Sequence, residues 1–210
     1  MEPFLLVDDD PATKKFLPRL LARRFPDAEI EVAGTKDEAM EKLVRYDDEG
    51  TALVAAILDL KIPERMGENP EVSALCKTVE KLQPQALIVH ITGHFLDDPK
   101  VVRHLAEYHS GYDKNPSAAP VWKKDRWEDD LCSRIATFLV TRQLRAIEGN
   151  RVAMGRGLRT VGPSLRGASH RRERLLNDVE RYWKFLDEEL QEEIRTSFDV
   201  HEERGSVTVR

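Results

Sequence analysis

The feature that most constrains this chain is a run of short apolar segments spaced along its first two-thirds, several ending in a charged or hydroxyl residue. They lie at 4–7, 30–33, 53–58, 86–91 and 120–122. Each is too short for a core helix and reads as a buried strand. Between them the apolar residues recur at helical spacing. Residues 11–25 place Phe16, Leu20 and Leu21 on one face, and 35–46 place Ala39, Met40 and Leu43. Further on, 70–82 carry Val72, Leu75, Val79 and Leu82, 98–108 carry Val101, Val102 and Leu105, and 129–147 carry Leu131, Ile135, Phe138 and Leu139. Thr35 with Glu38 three positions later has the form of a capping box. Five strands alternating with five helices predict an α/β fold, a doubly wound five-stranded parallel sheet with helices on both faces.

In such a sheet ligands bind beyond the carboxyl ends of the strands. The first strand runs into Asp8, Asp9 and Asp10, the third into Asp59, the fourth into Thr92 and Gly93, and the fifth into Lys123 and Lys124. Carboxylates converging at one sheet edge repel one another and lose stability unless they are neutralised. Mg²⁺ suits the task, because it prefers oxygen ligands and uses one or two carboxylates while keeping waters and a phosphate oxygen. A carboxylate beside such a cation can act as a nucleophile toward phosphorus, and a hydroxyl and an ammonium can stabilise the phosphoryl oxygens. A basic side chain fixed in the gap between the acids would remove the case for a cation.

This ordered set resembles the receiver domain of two-component response regulators, whose fold is flavodoxin-like. Val7-Asp8-Asp9 is similar to the acidic pair that binds Mg²⁺ with the phosphoacceptor. Asp59-Leu60-Lys61-Ile62-Pro63, with Gly67 eight positions after the Asp, is similar to the phosphoacceptor motif. Thr92-Gly93 matches the switch hydroxyl and the small residue after it. Lys124 matches the lysine at the end of the fifth strand, on the strength of Leu131 seven positions later, and Lys123 is its rival. The resemblance implies that Asp59 accepts a phosphoryl group from a histidine kinase or phosphotransfer protein. It also implies that Thr92 and the lysine respond, and that a downstream protein target reads the change. Three departures accompany it. Val121 stands where an aromatic is usual, with Trp122 the nearest, and Asp125 follows Lys124 where Pro is usual. Residues 109–120 read as an inserted loop, leaving 32 positions between Thr92 and Lys124.

Residues 1–148 therefore read as the receiver domain, 149–169 as a basic Gly-rich linker, 170–198 as one long amphipathic helix and 199–210 as a polar tail. The helix carries Leu176, Val179, Trp183, Leu186, Leu190 and Ile194 on one face. Docking on the receiver or pairing with a second copy as a homodimer would cover that face. Residues 149–174 hold seven arginines and a single acid, whereas 175–210 hold ten acidic and five basic residues. With a net charge of -5 and no helix-turn-helix pattern, nucleic acid is not an expected partner. His170, at the start of the helix, is a weak match to a phosphotransfer histidine, and His94 falls near the strand-end cluster. Cys76 and Cys132 lie in apolar helical patterns and read as buried thiols. The opening MEPFLLVDDD has too short an apolar run for a signal peptide, and no stretch approaches a membrane span, so the cytoplasm is the expected location.

Four kinds of function are weighed for these residues, the last of them DNA binding through the arginine-rich linker of 149–174. The first is a phosphorelay response regulator acting through protein contacts rather than turnover. The second is a receiver-like interaction module that does not switch. The third is a metal-dependent phosphatase or nuclease, opposed by Lys61, which stands where aspartate-based phosphatases place a second Asp.

Overall fold

The computed structural model describes residues 2–60, 73–93, 121–123, 127–157, 165–198, 200–203 and 206–209. By packing, the chain divides into two compact units, Met1–Leu131 and Cys132–Arg210.

The first unit opens with β1 (Glu2–Val7), α1 (Pro11–Arg24), β2 (Ala28–Ala33), α2 (Lys36–Asp48) and β3 (Ala55–Asp59), followed by α3 (Ser73–Leu82), β4 (Leu87–Thr92) and β5 (Val121–Trp122). All strand pairs are parallel and the spatial order is β2-β1-β3-β4-β5. This is the doubly wound, flavodoxin-like arrangement that the strand–helix alternation predicts. The expected helix over 98–108 and the insertion over 109–120 lie outside the described residues.

Side-chain alternation sorts the two faces of the sheet. Leu5 and Val7 of β1 and Ala56 and Leu58 of β3 join Ala39, Leu43, Tyr46, Leu75, Cys76 and Val79 in one buried cluster beneath α2 and α3. Phe4 points to the other face, where its ring centroid lies 5.7 Å from that of Phe25 at the end of α1. Leu17 and Leu21 are the buried leucines of α1, while Phe16, expected to face inward, is 46% exposed. The inward stripe is Thr13, Leu17 and Leu21, one position out of phase with the leucine count that suggested it.

Caps set the helix ends. Asp10 accepts from the Ala12 and Thr13 amides at 3.1 and 3.0 Å and starts α1, with Pro11 in the first turn. Thr35 accepts from the Glu38 amide at 3.2 Å, and Glu38 reaches back to the Gly34 amide, so the predicted capping box forms with its return bond shifted by one residue. Past the end of α2, Gly50 takes a φ of 64°, and the chain turns there as glycine readily allows.

The second unit corrects the reading of the last third. α4 (Trp127–Gly157) continues through residues expected to be linker. A helix already nucleated extends at the cost of its glycines, roughly 1 kcal/mol each, and Arg151, Ala153, Met154 and Arg156 among them are good helix formers. The single helix expected over 170–198 is two, α5 (Leu165–Trp183) and α6 (Glu188–Phe198). Asp187 causes the break: its side chain accepts from the Leu190 amide at 2.8 Å and caps α6, with Glu188 and Glu189 in the first turn. The expected polar tail is an antiparallel hairpin of β6 (Val200–Glu203) and β7 (Ser206–Val209). Glu180 accepts from the Val207 amide at 2.9 Å, and Val200 and Val207 are buried. Val179, Tyr182, Trp183, Leu186 and Ile194 are likewise buried within the chain, so a second copy is not needed to cover them.

Both thiols are buried, as expected. Burial pushes the Cys76 thiol up to about 12, with the charge of Glu80 adding to the effect, so the native protein should leave Cys76 unalkylated by iodoacetamide at pH 8 and label it only in denaturant. At the amino end of β3, the buried Gln83 side chain accepts from the Leu53 amide at 2.9 Å and donates to the Thr51 carbonyl at 3.3 Å. Gln83→Ala would strand that amide. A loss of about 1–3 kcal/mol in urea unfolding is the expected outcome.

Candidate functional site

The site is built by strand register. Val7 of β1 lies opposite Leu58 of β3, so the next residues, Asp8 and Asp59, leave their strands side by side. Both follow the alternation away from the α2/α3 cluster, which brings their carboxylates to the same face. Asp59 pairs in turn with Ile91 of β4, and Thr92 ends that strand opposite Trp122. Beyond β5 the Lys123 amide donates to the Thr92 carbonyl at 2.7 Å, which carries the lysine to the same sheet edge.

The expected acids do converge. One ligand oxygen from each of Asp8, Asp9 and Asp59 lies within 4.8 Å of the others, with Asp8 and Asp59 buried and Asp9 exposed. Asp10, the third acid of the run, is turned to helix capping and stands apart from the cluster. The Asp8 carboxylate also accepts from the Asp10 amide at 2.8 Å, which fixes the turn between β1 and α1. Thr92 is fully buried.

Sequence spacing favoured Lys124, with Lys123 as the alternative. Lys124 lies outside the described residues, and among those described the ammonium that faces the acids is that of Lys123. Its Nζ stands 2.6 Å from Asp8 and 3.0 Å from Asp59, with the side chain 15% exposed. The amide bond to Thr92 decides the register, whereas the spacing to Leu131 assumed a loop of fixed length. Counted from Lys123, the residue three positions before is Pro120 and the one after is Lys124, so neither the usual aromatic nor the usual proline is restored. Pro63, Gly67 and His94 lie outside the described residues, and His170 lies in α5 with its side chain outside them.

The electrostatics follow from burial. Desolvation raises the pKa of Asp8. The hydrogen bond from Lys123 opposes this and the charge of Asp59 adds to it, leaving a net rise. Burial alone would lower Lys123, but the charge of Asp59 and hydrogen bonds to both carboxylates outweigh it and hold the ammonium protonated. Among the described residues the Lys123 ammonium fills the gap between Asp8 and Asp59, so the condition that removes the electrostatic need for a cation is met for that pair. What still fits a hard divalent cation such as Mg²⁺ is the donor set, three carboxylate oxygens within 4.8 Å of one another.

No family model and no curated protein matches the chain. Several solved structures do resemble it. They include a CheY-like response regulator receiver domain protein from Methanospirillum hungatei, at 22% identity over 62% of this chain and 88% of that one, TM-score 0.43. A receiver domain protein from Clostridium thermocellum is similar at 17% identity, over 66% and 94% of the two chains, TM-score 0.44. The signal receiver domain of a DNA-binding response regulator from Colwellia psychrerythraea is similar at 21% identity, over 50% and 80%, TM-score 0.37. These are likenesses of fold. Among the described residues no helix is long and apolar enough to cross a membrane.

Lys123→Met removes the one cation shown to bridge Asp8 and Asp59. With chelator present, this should cost about 3 kcal/mol at pH 7, the scale for breaking a buried pair. In the variant the folded-state pKa of Asp8 rises further above its unfolded value. The penalty is therefore largest at neutral pH and shrinks as the pH falls and Asp8 protonates. Urea unfolding of both proteins at pH 7 and pH 5 measures the difference.

Proposed function

We propose that this chain is a response regulator whose receiver module, residues 1–148, accepts a phosphoryl group on Asp59 and signals through protein contacts. One observation carries the reading: the Asp59 carboxylate lies among Asp8, Asp9 and Lys123 at the carboxyl ends of adjacent parallel strands. The receiver folds to which the chain is similar agree with a signalling role of this kind.

Asp8, Asp9 and Asp59 are the residues that would hold Mg²⁺, which when bound offsets the charge brought in by the phosphoryl group. An Asp59 oxygen attacks phosphorus, and the bond from phosphorus to the donor breaks. The donor group leaves with the bonding electrons, and an aspartyl phosphate remains. Lys123, already on Asp59, then donates to a phosphoryl oxygen, and the Thr92 hydroxyl at the end of β4 is the second donor. Histidine kinases and phosphotransfer proteins carry phosphoryl groups of suitable reactivity, and a downstream protein would read the altered surface. Lys61 stands two positions after Asp59, where aspartate-based phosphatases place a second acid, which separates this reading from a phosphatase.

A second reading has its own support. The Lys123 bridge already compensates Asp8 and Asp59, and the usual aromatic and proline near the lysine are missing. Both features suit a receiver fold kept as an interaction module without switching.

The two readings diverge in one experiment. Intact-mass measurement after incubation with acetyl phosphate and Mg²⁺ should show one added phosphoryl group in the wild type, none in Asp59→Asn and none with chelator. An unmodified wild type that also shows no heat of Mg²⁺ binding would leave the silent module standing.

A further inference from the structure

α1 carries Lys14, Lys15, Arg19, Arg23 and Arg24 and no acid, in a chain whose net charge is -5. Two of these cations are engaged: the Lys14 ammonium lies against Gly34, and Arg24 pairs with Asp129 at 3.5 Å. Lys15, Arg19 and Arg23 are exposed, and none has an ion-pair partner among the described residues. At steps of four they form one row along the helix. Phe16 stands beside that row and is one of two large apolar side chains exposed among the described residues, the other being Val44 on α2. A lone exposed ring is ordinary on a protein surface, so the row of cations carries the argument and the ring adds an apolar contact to it.

The counterpart lies on α6. Glu188, Glu189 and Glu193 are exposed and likewise have no ion-pair partner among the described residues, whereas Glu192 is taken by Arg195 at 3.4 Å. Glu189 and Glu193 are four apart, as are Arg19 and Arg23, so each pair spans about 6 Å along its helix. Half-buried Leu190 stands beside the glutamates as Phe16 stands beside the arginines. The two faces match in sign, in spacing and in the placing of an apolar side chain at the edge of the charged row.

We propose that α1 of one copy of this chain docks on α6 of a second copy, the basic row against the acidic one with Phe16 set against Leu190. The occupant follows from charge. Every copy brings both faces in equal amount, and a chain of net charge -5 is repelled as a whole by an anionic lipid surface. The contact leaves the buried side of the C-terminal helices as it is, and it is independent of phosphorylation at Asp59. Exposed pairs of this kind are individually weak, so the association is weak and strongly dependent on salt.

The contact joins two different faces, and this gives a specific test. Sedimentation velocity of the full chain is followed over a concentration series at about 20 and about 300 mM salt. The sedimentation coefficient should rise with concentration at the lower salt and much less at the higher. Arg19→Gln with Arg23→Gln, and separately Glu189→Gln with Glu193→Gln, should each associate about tenfold more weakly than wild type, with helical circular dichroism unchanged. An equimolar mixture of these two variants retains one intact contact, α6 of the first on α1 of the second. It should therefore form a one-to-one pair that neither variant forms alone. Asp59→Asn should associate as wild type does. Sedimentation of the wild type that does not depend on concentration at the lower salt overturns the proposal, as does a mixture that associates no better than its components. So does a wild type that binds phosphatidylserine vesicles in place of a second copy. A single-chain wild type whose Gln variants sediment more slowly, the sign of a contact within one chain, overturns it as well.

Discussion

The interaction on which the site depends is the pair of hydrogen bonds that the Lys123 ammonium donates to Asp8 and Asp59. Two carboxylates, one wholly buried, leave adjacent parallel strands at the same level, and nothing in the backbone keeps them from repelling each other. The ammonium reaches both from a third strand end, at 2.6 and 3.0 Å, so a single charge ties the end of β5 to strand ends 115 and 64 residues earlier in sequence. Asp9 adds a third, exposed carboxylate, with one ligand oxygen from each acid within 4.8 Å of the others. Three oxygens so placed are a donor set of the kind a hard cation uses.

Register makes this possible without strain. Because side chains alternate along a strand, a shift of one residue between β1 and β3 would send Asp59 to the α2/α3 face, into the apolar cluster of Leu43, Leu75 and Val79. The apolar residues that hold the register, Val7 opposite Leu58 and Ile57 opposite Leu6, therefore also place the acids. Packing and chemistry are one constraint here. The core enforces a register that the carboxylates alone would oppose.

The fold and the acids were legible in the sequence because both rest on local patterns. Apolar runs of strand length and helical stripes give the order of elements, and right-handed crossovers leave few windings. Asp8 and Asp59 stand directly at the ends of such runs. What was not legible rests on register and competition between signals. Lys123 and Lys124 are adjacent, and only the amide bond to Thr92 distinguishes them. Phe16 looked buried because a leucine-rich segment offers two overlapping stripes, of which Leu17 and Leu21 won. In the last third, the regular spacing from Leu176 to Ile194 hid the break, although Asp187-Glu188-Glu189 is a recognisable helix start. The hairpin from Val200 to Val209 alternates as strands do, with Arg204-Gly205 between, but each run is only four residues long.

Charge in this protein is informative only where it is located. A net charge of -5 averages an acidic cluster at the strand ends, an arginine-rich stretch over 149–174 and an acidic segment from Asp187 to Glu203, and the average describes none of them. The acids of the first cluster are held by backbone register and a partly buried ammonium, so their field is fixed and short in range.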